Sequence, residues 1–389
     1  QDGNSDGVYA QRYDANGVLV GPEFLVNTTV SSNQNNASVT GLSGGGFVVT
    51  WQDSSGADGS GTGIFGQRFD AGGVALGAEF QVNTEFSSTQ DETSVASLAD
   101  GGFVVTWTST ASGTAGDGSS DGVFAQRYDS SGAAVGGEFQ VNTTTASTQY
   151  QPHVVGLVGG GFVVTWSSYN QDATNTYGIY AQRFDASGAS QGVEFQVNTT
   201  VASNQGEPRI GALSDGGWVV VWTDGGSADG SGSGVFGQRY DASGAAVGGE
   251  FRVNEETTNS QFQPDVIGLD GGGFVVTWRS NSPNDVYGQQ YDVDGHRIDG
   301  QFQVNTESSG AQFQGVLAAL PSGNFVVAWA SNTSGTAGDG SGNGVFHQLF
   351  GDPADFNPVA SPEIGGFSTE VTYQENLVNL LLQSLDSDN

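Results

Sequence analysis

The sequence predicts an all-β protein, a β-propeller of four-stranded antiparallel blades with a short extended C-terminal tail. One strand motif recurs seven times along 389 residues, and short β-branched and aromatic runs that follow glycine turns accompany it. The composition agrees, since 63 glycines and 11% aromatic residues stand beside only 13% charged residues. Such a chain is turn-rich and has enough aromatic side chains for a buried core, which argues against disorder.

The recurring motif reads Val8-Tyr-Ala-Gln-Arg-Tyr-Asp14 in its first copy, and we call it strand C. Its seven copies start at Val8, Ile64, Val123, Ile179, Val235, Val286 and Val345. The starts lie 56, 59, 56, 56, 51 and 59 residues apart. This is the period of one small supersecondary unit that is repeated and stacked on copies of itself.

Three further strands accompany strand C in each repeat. Strand A begins at a glutamine and ends in an apolar pair, as in 205–213. Strand B is a glycine-launched run that ends in tryptophan, as in Gly45-Gly-Phe-Val-Val-Thr-Trp51. Strand D follows an Asp-x-x-Gly turn and reads Glu23-Phe-Leu-Val-Asn27 in its first copy. Each repeat is therefore predicted to be a four-stranded antiparallel meander.

Strand B is too apolar on successive residues to have a face in water, and one meander cannot bury both of its own faces. Radial stacking of blades solves this problem. Separate sandwiches would need roughly twice as many residues for each domain, and the turns of a β-helix are shorter than this repeat. The pattern therefore favours a propeller at residues 1–351, followed by a tail at 352–389.

The number of blades is open at this stage, because the sequence contains six A, six B, seven C and six D strands. Six blades could close by pairing the N-terminal C and D strands with the last A and B strands, which leaves Val345–Phe350 surplus. Seven blades need inner strands for the first blade, supplied from upstream or by the tail. The seven C strands lead us to favour seven blades over six.

Composition also limits the partners. The chain carries 42 acidic residues against nine basic ones, all of them arginine, so the net charge is −33. Nucleic acid and anionic membranes would be repelled, and we expect neither as a partner. Cysteine and methionine are both absent, so the fold depends on no disulfide and offers little to oxidants. An acidic protein with these properties suits an extracellular setting, and its longest apolar stretch, Leu377 to Leu382, is too short to span a membrane.

The loops between strands B and C are the strongest ligand candidates, because oxygen-bearing side chains alternate with glycine there. Calcium binds six to eight oxygens and accepts hydroxyl and carbonyl ligands, so such loops could hold it. Asp-Gly-Ser is also ordinary turn chemistry, in which aspartate caps its own backbone, and both interpretations stay open. The candidate calcium ligands are Asp2, Asn4, Asp6, Asp58, Ser60, Asp117, Ser119, Asp121, Asp229, Ser231, Asp339, Ser341 and Asn343. The loop Ser282-Pro-Asn-Asp285 lacks the pattern and is expected to be empty.

A second candidate site lies on strand A, where three successive repeats carry different ionisable residues just before the apolar step. These residues are His153, Arg209 and Asp265. Innermost strands line the channel of a propeller, so the three could form a polar ligand site there. Drift at an exposed strand end explains the same pattern. No nucleophile, metal or phosphate motif of an enzyme is present, and abundant carboxylates alone do not identify a glycosidase pair.

Comparison of the repeats also predicts a contact within each blade. Five C strands carry an arginine, and the D strand that follows each of them opens with glutamate, as in Arg127 and Glu138. In the sixth repeat both positions change, to Gln290 and Gln301. This paired change predicts a structural Arg–Glu contact between strands C and D of one blade.

The units Gly-Gly-Phe-Val-Val-Thr-Trp, Gly-Val-Phe-Gly-Gln-Arg-Tyr-Asp and Glu-Phe-Gln-Val-Asn-Thr resemble tandem repeats of very large secreted proteobacterial surface proteins. The resemblance covers residues 1 to about 350. It implies an extracellular location, association with calcium and a role in surface layers, matrix or adhesion. From Pro358 onward the tail resembles the start of a cadherin-like or immunoglobulin-like module, and Asp386-Ser-Asp-Asn389 resembles its calcium linker.

Together these observations predict a structural or adhesive module of a secreted surface protein, stabilised by calcium and not an enzyme. Its partners would be copies of itself or neighbouring modules of a longer chain, and its tail could dock on a neighbouring propeller to form filaments. The alternative is a carbohydrate-binding propeller with glycans as partners. A secreted glycosidase is a third hypothesis, and it requires two carboxylates that face each other across a cleft.

Overall fold

In a computed structural model, the chain is built from β-strands that follow the predicted A, B, C and D order. The structure describes residues 6–14, 18–59, 61–84, 88–110, 120–226, 228–306, 310–320, 323–332 and 344–351, together with the backbone of the tail strands 367–374 and 377–384. Asp2, Asn4, Ser60, Asp117, Ser119, Asp339, Ser341 and Asn343 lie outside the described residues.

The first three complete blades each place strands A to D side by side in antiparallel order. Blade one consists of β3 (Gln34–Gly41), β4 (Phe47–Asp53), β5 (Gly63–Phe69) and β6 (Phe80–Gln81). Blade two consists of β7 (Gln90–Ser97), β8 (Phe103–Ser109), β9 (Gly122–Tyr128) and β10 (Ala134–Gln140). Blade three consists of β11 (Gln149–Gly156), β12 (Phe162–Tyr169), β13 (Tyr177–Phe184) and β14 (Ser190–Gln196).

Two more blades repeat this order, and a three-stranded sheet follows them. Blade four consists of β15 (Gln205–Ala212), β16 (Trp218–Asp224), β17 (Gly234–Tyr240) and β18 (Ala246–Arg252). Blade five consists of β19 (Gln261–Gly268), β20 (Phe274–Ser280), β21 (Val286–Tyr291) and β22 (Arg297–Gln303). The three-stranded sheet consists of β23 (Val316–Ala319), β24 (Phe325–Ser331) and β25 (Gly344–Phe350).

The first strands of the chain and the tail share one further sheet of four strands, in the order β2-β1-β27-β26. It consists of β1 (Val8–Asp14), β2 (Phe24–Leu25), β26 (Phe367–Gln374) and β27 (Leu377–Ser384). The tail strands thus take the A and B positions beside the first C strand. Strands from the tail were one of the two sources that the sequence analysis allowed for this blade.

The chain divides into two compact units. One contains residues 1–9 and 24–208, and the other contains residues 10–23 and 209–389. The B strands whose side chains the structure describes, β4, β8, β12, β16, β20 and β24, are buried on both faces, as the sequence predicted. Trp107 and Val105 are fully buried, and Val95 of strand A and Phe103 pack with them against Ile64 of the preceding blade. The core therefore lies between successive sheets.

A buried Asn–Gln pair joins strands C and D of one blade to strand A of the next. In blade two, Asn142 Oδ1 accepts a hydrogen bond from Val123 N (2.8 Å), and its Nδ2 donates to Gln149 Oε1 (3.0 Å). Asn254 makes the same two contacts, with Val235 N at 2.8 Å and Gln261 Oε1 at 3.0 Å. The asparagine that follows strand D and the glutamine that opens strand A therefore form a hydrogen-bonded link between successive blades.

The predicted Arg–Glu pair within each blade is wrong for the copies whose contacts the structure gives. Arg127 donates to the backbone oxygens of Ala186 and Ser187, in the C–D turn of the next blade, at 2.6 Å each. Arg68 contacts the corresponding turn at Ser130 and Ser131. Because these oxygens belong to another blade, the arginine fastens successive sheets together.

The glutamate that opens strand D also turns towards a neighbouring blade, but in the opposite direction. Glu138 Oε2 accepts hydrogen bonds from Thr84 N (2.7 Å) and Thr84 Oγ1 (2.9 Å), just after strand D of the preceding blade. Glu194 accepts from Thr143 N at 2.6 Å and from Thr144 Oγ1 at 2.5 Å in the same way. Arginine and glutamate are thus two separate fasteners between blades.

His347 is the departure from the motif with the clearest structural reason. Strands C elsewhere carry glycine or alanine at this position, and a Cβ added to Gly288 would lie 2.5 Å from the Phe302 ring of strand D. No fourth strand pairs with β25 among the described residues. His347 is buried there, with its ring centroid 4.9 Å from that of Tyr13. Burial lowers the pKa of His347 to about 4, so the imidazole is neutral at physiological pH.

Candidate functional site

The structure places the described loop aspartates at the base of the B–C loops. Asp58 and Asp229 are buried, whereas Ser231 is exposed. Asp229 Oδ2 accepts a hydrogen bond from Asn254 Nδ2 (3.0 Å), and Oδ1 accepts from Ser231 N (3.1 Å). The carboxylate therefore ties the loop to the buried asparagine of strand D. Asp6 and Asp121 are half-buried at the start of their C strands.

Aspartates in loops without the Asp-Gly-Ser pattern take the same position. Asp285 is buried and accepts from Asn305 Nδ2 at 2.7 Å, and Asp172 Oδ2 accepts from Asn198 Nδ2 at 3.2 Å. A loop aspartate that caps the strand D asparagine is thus a common structural feature. The calcium interpretation must rest on the additional oxygens of the Asp-Gly-Ser loops.

The A strand of each of blades one to five carries a bulge residue in the left-handed region, a conformation that side chains other than glycine adopt rarely. The residues are Asn36 (φ 49°), Glu92 (φ 54°), Gln151 (φ 56°), Glu207 (φ 55°) and Gln263 (φ 52°). Where the contacts are given, the side chain of one bulge residue accepts the backbone N–H of the next. Glu92 Oε2 accepts from Gln151 N at 2.6 Å, and Gln151 Oε1 accepts from Glu207 N at 3.0 Å. The A strands of blades two to four thus form a hydrogen-bonded polar belt.

Beside this belt, the unit that contains residues 24–208 gathers carboxylates and tyrosines. The pKa of Asp91 is raised to about 7 by burial and by the charges of Glu92 and Asp121. The ring centroids of Tyr150 and Tyr177 lie 5.1 Å apart, and Tyr169 lies 4.8 Å from Tyr177. All these side chains are half-buried. We call Asp91, Glu92, Asp121, Tyr150, Tyr169 and Tyr177 the acid–tyrosine cluster.

The acid–tyrosine cluster combines a carboxyl group that titrates near neutral pH with half-buried aromatic rings, which is a typical surface for a polar ligand. Sequence reading selected only Asp121 from it. The others were missed because Asp91 and Tyr150 stand at equivalent positions of strand A in different blades, where the repeat shows no consensus. The variation of the second residue of strand A from blade to blade is the sequence feature that could have identified Asp91 and Tyr150.

The predicted strand A trio is divided between the two units. His153 lies in one unit, where it pairs across the strands with Thr165, and Arg209 and Asp265 lie in the other. Burial raises the pKa of Asp265 to about 6, although Arg209 and the N–H groups of Leu317 and Val266 lower it. Leu317 N donates to Asp265 Oδ2 at 2.7 Å. Asp265 therefore fastens strand A of the neighbouring sheet, and the structure brings together two of the three predicted residues.

One further group of possible metal ligands occurs among the described residues, in the C–D turn of blade five. Asp292, Asp294 and His296 can bring their ligand atoms within 4.8 Å of one another. Asp292 Oδ1 accepts His296 N at 2.8 Å, and Asp294 and His296 are exposed. Asp185 and Asp241 accept the same bond from the residue four positions on in other C–D turns, so Asp292 has a structural role without a metal.

Comparison with known proteins shows the fold class. The chain is an all-β propeller with six four-stranded antiparallel blades, in addition to the three-stranded sheet. It is similar to an α-L-arabinanase of Penicillium chrysogenum complexed with arabinobiose, at 14% identity and a TM-score of 0.55 over 82% of this chain and 93% of that one. It is also similar to a protein of unknown function from Dyadobacter fermentans, at 10% identity and a TM-score of 0.55 over 90% and 94% of the two chains.

A puromycin hydrolase is also similar, at 13% identity and a TM-score of 0.53, over 89% of this chain and 49% of that one. No protein-family model matches the chain, and no curated protein sequence matches it significantly. At these identities the likeness shows the fold alone, because one propeller fold serves unrelated functions. Among the residues that the structure describes, no helix has the length and apolar character needed to cross a membrane.

Proposed function

We propose that the chain is a structural or adhesive module of a secreted surface protein, and not an enzyme. This proposal is supported mainly by the hydrogen-bond partners of the repeated polar residues. Arg127, Glu138 and Asn142, each a member of a recurring motif, all bind a neighbouring blade. Repeats that keep the residues that bind neighbouring repeats, and vary at other positions, are typical of a structural scaffold. The net charge of −33 keeps such a module soluble and suits an extracellular location.

We further propose that calcium rigidifies the Asp-Gly-Ser loops. The buried Asp229 carboxylate receives its hydrogen bonds from neutral groups, Asn254 Nδ2 and Ser231 N. Arg252 donates to the backbone oxygen of Asp229 at 3.4 Å. A buried carboxylate whose own hydrogen bonds come from neutral donors gains from a cation, and the loop adds hydroxyl and carbonyl oxygens of the kind that calcium prefers. We also propose that the three-stranded sheet β23–β25 is a seventh blade. The likeness of the tail to a cadherin-like module, and the formation of filaments through that tail, are further parts of this proposal.

The calcium proposal predicts a change in thermal stability. Removal of calcium with a chelator is expected to lower the melting temperature, and added calcium is expected to restore it, because an ion that binds only the folded state stabilises that state. Asp229→Asn should reduce the calcium-dependent shift. Asp285→Asn is the matched control, since Asp285 occupies the same position in a loop without the pattern. An unchanged melting temperature after chelation would show that the loops are turns only.

A second candidate function is carbohydrate binding at the acid–tyrosine cluster. Tyrosine rings offer apolar faces to a sugar, and Asp91 and Glu92 offer acceptors for its hydroxyl groups. Retention of neutral oligosaccharides that is lost in Tyr150→Ala and kept in Tyr287→Ala, a tyrosine of blade five outside the cluster, would support this function. Equal retention by both variants would contradict it. Release of reducing sugar from the same oligosaccharides would instead favour a glycosidase.

A further inference from the structure

Arg279 has surroundings that its position in the repeat does not explain. It lies on strand B of blade five, directly opposite Phe262 of strand A. The equivalent residues of blades two and three are Thr108 and Ser167, whose hydroxyls donate to the bulge residue of their own A strand at 2.8 and 3.3 Å. Blade five has an arginine in place of the small hydroxyl residue. It therefore lacks the hydrogen bond from that hydroxyl to the bulge residue and has a cationic side chain instead.

Two aromatic rings lie beside the Arg279 guanidinium. Its Cζ lies 5.3 Å from the ring centroid of Phe262 and 4.9 Å from that of Phe313. Phe313 precedes strand A of the adjacent sheet, and its backbone N–H donates to the oxygen of Ala330 at 2.8 Å. Cation–π contacts with two rings restrict the position of the guanidinium and leave its N–H edge for other contacts.

No carboxylate or other hydrogen-bond acceptor meets that edge among the described residues. Other arginines of the chain bind backbone oxygens or acids, as Arg239 does with Val293 O (2.7 Å) and Arg297 with Glu255 (2.8 Å). Arg279 shares a buried, unbonded Nε with Arg239 and Arg127, but those two arginines donate to backbone oxygens through their other nitrogens. Desolvation by burial lowers the pKa of the Arg279 guanidinium. In a chain with 42 acidic residues, a half-buried arginine that faces none of the described acids is unexpected.

We propose that Arg279, in cation–π contact with Phe262 and Phe313, is a binding site for a carboxylate group of an extracellular ligand. The fork of N–H donors in the guanidinium plane matches the two oxygens of a carboxylate. Because cation–π contacts do not use these N–H donors, the donors stay available for bidentate recognition. An anion at this edge would also compensate a positive charge that is partly removed from water. The site is separate from the acid–tyrosine cluster and does not depend on calcium.

The test uses sodium glucuronate and its neutral analogue glucuronamide as probes, with binding followed by ligand-observed NMR and calorimetry. The intact protein is expected to bind millimolar glucuronate and to ignore glucuronamide. Arg279→Gln should abolish binding, and Arg279→Lys should weaken it about tenfold, because a lysine makes no bidentate contact. Arg297→Gln is the control, since that arginine is already paired with Glu255.

Thermal melts of each variant show whether it is folded, so a loss of binding can be separated from a loss of structure. Equal binding of glucuronate and glucuronamide would overturn the proposal, as would wild-type affinity in the folded Arg279→Gln variant. Absence of glucuronate binding to the intact protein at millimolar concentration would also overturn it and would leave Arg279 a packing residue. None of these outcomes depends on calcium or on neutral oligosaccharides, so failure here is distinguishable from failure of the proposed function.

Discussion

Replacing Asn142 by leucine is expected to destabilise the protein severely. Asn142 is buried, and its side chain satisfies Val123 N and Gln149 Oε1 in two different blades. Leucine would leave both groups buried and unpaired, which costs about 1–3 kcal/mol for each of them. The free energy of unfolding, measured by urea denaturation, should therefore fall by several kcal/mol.

The double variant Asn142→Leu with Gln149→Leu is the matched control for this prediction. It removes the orphaned amide of Gln149 together with its partner, so its loss of stability should be smaller than the sum of the two single losses. Additive losses, or a loss below about 1 kcal/mol in the single variant, would contradict the account of the Asn–Gln pair as a fastener between blades.

The second large effect is expected for Gly156→Ala at the end of strand A in blade three. A Cβ at Gly156 would lie 2.0 Å from the backbone oxygen of Ser97 in blade two. Backbone atoms cannot rotate away as a side chain can, so the two A strands would have to separate. Such overpacking typically costs about 1–3 kcal/mol, and the thermal midpoint should fall accordingly.

Gly159→Ala is a close control for this substitution, because nothing lies within 4 Å of the Cβ that it would add. It should leave the melting temperature nearly unchanged. If both variants melt alike, the A strands do not approach each other as closely as the structure shows.

The fold was predictable because its main signals are local in the sequence. The run Phe-Val-Val-Thr-Trp specifies a strand that is buried on both faces, and Trp107 and Trp166 are indeed fully buried. The glycine at the start of each B strand and the Asp-x-x-Gly turn set the strand boundaries. Stacking of sheets then follows, because one meander has no other way to cover both faces of such strands.

The partners of polar side chains were not predictable in the same way. Arg127 and Glu138 vary together with their counterparts along the chain, and this suggested a direct contact, yet each reaches a different neighbouring blade. Comparison of repeats shows which positions are kept, but it does not show whether a contact lies inside one blade or between two blades. The left-handed bulges at Glu92 and Gln151 were invisible for a related reason, since neither residue type signals a positive φ.

His347 shows how a departure from the motif can be interpreted once the structure is known. In blade five, Phe302 of strand D fills the space beside the equivalent residue, Gly288. No fourth strand pairs with β25 among the described residues, so the space beside His347 is not filled by such a ring. The sequence shows a histidine where the other six C strands have glycine or alanine, but it does not show why the larger side chain is tolerated. Arg279 was missed altogether, because strand B residues at that position vary and no motif includes them.

If the repeated residues bind one blade to the next, a pair of double-mutant cycles should reveal coupling between blades and none inside a blade. The first cycle combines Glu194→Gln with Thr144→Val across two blades, and the second combines Arg127→Gln with Glu138→Gln inside one blade. Burial would raise the pKa of Glu194, but hydrogen bonds from Thr144, Thr143 and Gln171 outweigh it and lower the pKa below its usual 4.5. The stabilisation is therefore present above that pH and is lost as the pH falls through the lowered value.

We expect a coupling free energy of about 1 kcal/mol or more for Glu194 with Thr144 at neutral pH, which disappears in acid. For Arg127 with Glu138 we expect no coupling beyond experimental error. Strong coupling inside the blade together with none between the blades would show that the repeated residues do not bind one blade to the next.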